Sequence, residues 1–168
     1  MFKSFGFYFI LVLSINPASL VMASPIAELT KVGSAKLEVF FFDIYFSTLY
    51  SKSGKYNEEE RPLALQIKYL RAINSDDLLE RTEQEWQKLG YASENVQSWL
   101  QSLDSIWPNI KKHDVLTLRV KPNGHSEFFF NDAPIGVIED SNFGPSFLAI
   151  WLDENCSYPK LRKQLIGG

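Results

Sequence analysis

Residues 113–153 read HDVLTLRVKPNGHSEFFFNDAPIGVIEDSNFGPSFLAIWLD, and this stretch decides the fold. Val115 to Val120 alternates as a strand does, Pro122-Asn123-Gly124 is a strong hairpin signal, and Glu127 to Phe130 is an aromatic return strand. Asn131-Asp132-Ala133-Pro134 turns the chain again into Ile135 to Ile138. Asp140 or Ser141 suits a helix cap, and Phe143, Phe147, Ile150 and Trp151 follow at helical spacing. A helix so rich in aromatic residues requires a sheet to cover it. The remainder of the chain is expected to be built around that contact.

Working outward, Leu63 to Arg71 has the cleanest period-two pattern. Leu63, Leu65, Ile67, Tyr69 and Arg71 share one face, and Ala64, Gln66, Lys68 and Leu70 the other. Val32 to Tyr50 also reads as extended. Lys36 and Glu38 alternate with Leu37 and Val39, and the unalternating Phe40-Phe41-Phe42 then predicts a strand covered on both faces. Ser51 to Arg61 is a charged surface loop. Ser75 caps a helix with Asp76 and Asp77 in its first turn and Leu78, Thr82, Trp86 and Leu89 on one stripe, closed by Gly90. Ser93 opens a second helix with Val96, Leu100, Leu103 and Trp107 inward, stopped by Pro108, and Pro159 to Ile166 forms a short last helix. The order of elements predicts an α+β domain: an open-faced antiparallel sheet covered on one face by helices.

The first residues carry an export pattern. Lys3 is the only charge before Ser24, Phe5 to Leu13 is nearly unbroken apolar sequence, and Val21-Met22-Ala23 offers small residues to a signal peptidase. The apolar run is shorter than the ~20 residues of a membrane span. The expectation is a signal peptide over residues 1–23, cut after Ala23, and a folded domain over 24–168, periplasmic or secreted and without a stable membrane anchor. The chain is slightly acidic, with a formal net charge of -3 and no basic stripe, which argues against nucleic acid as a partner. Cys156 is the only cysteine, so stability must come from packing rather than an internal disulfide.

Most catalytic signatures are absent: no Gly-x-Ser-x-Gly elbow, no phosphate-binding glycine loop, and no histidine pair at ligand spacing, His113 and His125 being the only two. No metal and no cofactor is expected. What remains is a surplus of aromatic residues beside a few polar tips. Aromatic runs at strand spacing form cores; the sharper expectation is an elongated apolar cavity between sheet and helices. Tyr45, Tyr69 and Arg71 would hold a carboxylate or phenolate, since an arginine fork pairs both carboxylate oxygens. Phe41, Trp86 and Phe129 would hold the ligand body. The alternative for Arg71 is an ion pair with a helix acid such as Glu80.

YLRAI-S-DDL-ER-EW-LG, KKHDVLTLRV-NG, FFFN-IG-IED-F, FLAIWLDE and the LRKQLIG tail together resemble the bacterial chalcone isomerase-like proteins, from about Val32 to Gly167. The resemblance implies the chalcone isomerase fold, with a ligand cleft between sheet and helices. It also implies where the isomerase's catalytic arginine falls: at or near Leu37, with Lys36 beside it and no arginine in place. The next polar position of the family matches Tyr45. The isomerase's tyrosine, lysine and asparagine fall near Asn74, Asp77 and Arg81, and none is preserved. The expectation is therefore an exported, non-catalytic binding protein for a small apolar acid, a fatty acid or a phenolic compound. An intramolecular lyase or isomerase with Arg71 or Arg81 as phenolate clamp is the second reading. An envelope scaffold that supports a partner protein is the third.

Overall fold

The computed structural model describes residues 23–168; the expected signal peptide, apart from Ala23, lies outside the described residues. Six strands, β1 (Thr30–Val39), β2 (Phe42–Ser51), β3 (Leu63–Tyr69), β4 (Val115–Val120), β5 (Ser126–Phe130) and β6 (Ala133–Ile138), form one sheet. They lie in sequence order and every neighbouring pair is antiparallel. Helices α1 (Ser75–Lys88) and α2 (Ser93–Asp104) are inserted between β3 and β4. Helices α3 (Phe143–Leu152) and α4 (Pro159–Leu165) follow the sheet. This is the α+β architecture read from the pattern.

The deciding stretch folds as its pattern requires. Phe128 of β5 meets Phe143 and Phe147 of α3 with ring centroids 5.9 and 5.7 Å apart. Trp86 of α1 and Trp99 of α2 close the same aromatic layer, their rings 5.2 Å apart. Asp140 governs the entry to α3, though not as the N-cap, which is Asn142. Its Oδ1 accepts from the Asn142 amide at 2.9 Å and its Oδ2 from the Trp99 indole N–H at 2.8 Å. Those two donors hold its carboxyl below the usual carboxylate range, the Trp99 bond contributing most. A depressed folded pKa gives stability that is present above the ordinary carboxylate pKa and lost as pH falls through the lower folded value. Acid titration of unfolding should therefore show a component below about pH 4 that Asp140→Asn removes; identical acid profiles would remove Asp140 from this role.

Val32 to Tyr50 is not one covered strand but the hairpin of β1 and β2, and this corrects the sequence expectation. Val39 pairs with Phe42, so Phe40 and Phe41 form a two-residue turn with φ of 48° and 70°. Such a turn matches the twist of the flanking strands, which is why it forms even without Asn or Gly. The three phenylalanines are at its exposed tip. Irregular register recurs twice in this hairpin. Val32 is the extra residue between the Lys31–Tyr50 and Gly33–Leu49 pairs, and Ile44 that between the Leu37–Tyr45 and Glu38–Asp43 pairs.

Gly33 fixes the seat of α4 on β1. A Cβ there would stand 2.1 Å from the Gln164 carbonyl oxygen and 2.6 Å from that of Leu165, both backbone atoms that cannot rotate aside. Gly33→Ala should therefore lower stability by about 1–3 kcal/mol, read as a drop in melting temperature. An unchanged melt would mean α4 is free to shift.

Candidate functional site

A cavity of about 330 Å³ lies between the helix-facing side of β1–β5 and helices α1 and α3, a size within the usual range for ligand pockets, ~300–1,000 Å³. Leu65 and Ile67 of β3, Leu118 of β4, Phe128 of β5 and Phe147 and Ile150 of α3 supply apolar wall. Their inward direction follows from strand alternation and from the apolar stripe of α3. Val39 and Ile44 line the cavity where the β1–β2 hairpin leaves the sheet. The bulge at Ile44 lets it and its neighbour Tyr45 both reach the cavity, which regular alternation forbids.

The polar groups gather at one end. Tyr45 and Tyr69 face each other across β2 and β3, their rings edge-on at 6.1 Å. The Trp151 indole N–H donates to the Tyr45 hydroxyl at 2.8 Å. Burial pushes both tyrosines well above the ordinary phenol pKa, so both are neutral hydroxyls at physiological pH. Tyr69 is 4% exposed, and among the described residues its hydroxyl makes no hydrogen bond. It is the free polar tip at this end of the cavity.

Arg81 is the cation among the described lining residues. Its Nη2 lies 2.5 Å from Glu85 Oε1 and donates to the Tyr158 hydroxyl at 3.0 Å. Glu85 is 5% exposed yet satisfied from further directions, by Lys88 Nζ at 3.3 Å and by the Ser157 hydroxyl. The guanidinium is half-exposed at the cavity edge and has five N–H donors, so Glu85, Tyr158 and Gln84 Oε1 (at 3.4 Å) still leave donors over. The arrangement is chemically an apolar wall with a polar end made of Tyr45, Tyr69, Arg81 and Tyr158 beside the carboxylates Asp77 and Glu85. Among the described residues no cluster of side chains is suited to a metal ion, and no helix is long and apolar enough to cross a membrane.

Of the residues expected from sequence, Tyr45, Tyr69 and Arg81 are brought together. The other four are not. Arg71 lies beyond the end of β3, where alternation no longer applies. It is exposed, does not line the cavity, has its guanidinium carbon 5.7 Å above the Phe42 ring, and forms no ion pair with Glu80 or any other described residue. Phe41 is 96% exposed at the hairpin tip. Phe129 is on the opposite side of the sheet from Phe128, because successive strand residues alternate. Trp86 is fully buried, its indole N–H donating to the Ser146 carbonyl at 2.8 Å, in the aromatic layer rather than the cavity wall.

Sequence reasoning did not single out Glu85, Tyr158 or the Trp151–Tyr45 bond. The Arg81–Glu85 spacing was a readable i,i+4 pair. Tyr158 and Trp151 carry no such local signal, since their partners are 77 and 106 residues away.

The family model described as chalcone isomerase-like matches residues 22–167. An uncharacterized protein of Haemophilus influenzae is 31% identical over 145 residues, covering 86% of this chain and 71% of that protein. Among solved structures, an Arabidopsis thaliana fatty-acid binding protein superposes with a TM-score of 0.62 at 13% identity, over 83% of this chain and 87% of the other.

Proposed function

Since the chain belongs to the chalcone isomerase-like family, we propose that it is a binding protein for a small apolar acid, with a fatty acid as the leading ligand class. One observation carries this reading: an apolar cavity that ends in a free tyrosine hydroxyl and an arginine with donors to spare. The solved relative of the same fold is itself a fatty-acid binding protein, which supports the ligand class. Leu37, at or near which the family resemblance places the isomerase's catalytic arginine, stands in the cavity wall. Lys36 beside it faces away and pairs with Asp43 at 2.6 Å, so neither residue offers a cation to a reacting phenolate. An apolar residue where the resemblance places the catalytic cation favours binding over the isomerase reading.

Export belongs to the same proposal. The family match begins at residue 22, next to the expected cut after Ala23. N-terminal sequencing of protein from the host envelope should begin at Ser24. For the ligand, native mass spectrometry of protein purified from its own host should show added mass that extracts as fatty acid. Protein that is free of ligand and takes up no labelled fatty acid counts against the reading.

A further inference from the structure

The hairpin tip that the cavity does not use has no structural reason to be aromatic. Phe40 and Phe41 both have positive φ, a region that bulky side chains avoid, and they are 86% and 96% exposed, with no packing among the described residues to compensate. The chain itself supplies the contrast. The β5–β6 turn has the same two-residue form, with φ of 49° and 67°, and fills it with Asn131 and Asp132, residues that tolerate it. Phe42, 64% exposed, continues the tip.

We propose that this tip is a docking site for a lipid surface bearing anionic headgroups. A reverse turn presents a convex point rather than the flat apolar patch of about 800 Å² per partner that a stable protein interface needs. Its surroundings are charged. Lys36 bridges Glu38 and Asp43, leaving one excess carboxylate, which Arg71 above the Phe42 ring offsets, and Lys68 of β3, opposite Phe46, adds a further cation; neither Arg71 nor Lys68 forms an ion pair among the described residues. Aromatic rings at headgroup depth with unpaired cations beside them match the membrane interface, where rings enter the acyl boundary and cations meet phosphates. The site is also continuous with the cavity, because Val39 and Ile44, on either side of the tip, line it. Docking here would set the cavity rim at the lipid boundary, from which an apolar acid could enter. Docking itself does not depend on the fatty-acid reading; only that use of it does.

The test compares the protein purified from its host with Phe40→Asn/Phe41→Gly, which gives the turn residues suited to its φ values. Sedimentation with vesicles of phosphatidylethanolamine and phosphatidylglycerol should show binding weakened at least about tenfold in the variant, while its melting temperature stays equal or rises. Fatty-acid content should be unchanged in the variant when ligand is supplied in solution, which separates docking from the binding reading. As a readout local to the tip, Phe41→Trp should show a blue-shifted emission relative to the parent protein on adding the same vesicles, and quenching by brominated acyl chains. Equal sedimentation of the two proteins together with no shift in the Phe41→Trp emission overturns the proposal. So does a dimer in solution that the double variant abolishes without any vesicle binding, which would assign the tip to a second copy.

Discussion

Trp86→Ala will be among the most damaging single substitutions in this protein, costing about 3–5 kcal/mol of stability by denaturant titration. The indole is fully buried, meets Phe143 and Phe147 edge-on and Trp99 at a tilt, and gives its N–H to the Ser146 carbonyl. Truncation leaves a void at the junction of α1, α2 and α3 and removes the bond that ties the Trp86 side chain to the Ser146 carbonyl. A folded domain typically has only about 5–15 kcal/mol to lose. Trp86→Phe keeps most of the volume and loses the hydrogen bond, so about 1–3 kcal/mol is expected. If the alanine variant retains its stability and loses only ligand, Trp86 belongs to the cavity wall after all, as its sequence position had suggested.

Arg81→Ala should reduce fatty-acid retention by roughly ten- to a hundredfold, the loss of one charge-assisted hydrogen-bonding group at about 1.5–3 kcal/mol. Arg71→Ala should leave retention unchanged, because Arg71 is exposed over Phe42 and does not line the cavity. Titration with a labelled fatty acid in each variant measures both. Arg81→Lys is a useful third protein: it keeps the charge but not the fork that serves Glu85, Tyr158 and a ligand together, so intermediate affinity is expected. Equal retention in all of them would place the head group elsewhere, and loss in Arg71→Ala alone would restore the hairpin side as the site. Melting curves are part of the measurement, since Arg81 also faces the buried Glu85.

Much of the architecture is legible in local pattern. Alternation over Leu63 to Tyr69 identifies β3 and its buried face, and helical spacing from Phe143 to Trp151 identifies α3. Both signals survive because each element stays regular and well buried along the length over which the pattern is read. The pattern misleads where a side chain's neighbours change within a few residues. Phe40-Phe41-Phe42 is hydrophobic like a doubly covered strand, yet a two-residue turn interrupts it, and nothing in three identical residues marks a reversal. Arg71 continues the period of β3 on paper, but the strand ends at Tyr69, where backbone pairing passes to His113 and Asp114.

The sequence by itself determined the class of fold, the faces of its strands and helices, and the presence of tyrosines and an arginine available for a polar head. Only the tertiary structure decided which of them meet. Tyr45, Tyr69 and Arg81 share one cavity end because a bulge at Ile44 bends β2 there and because α1 crosses that end of the sheet. Tyr158 completes the end from beyond α3. Hydrophobic periodicity records whether a residue is covered, not by what, and a binding site is made of the second kind of information.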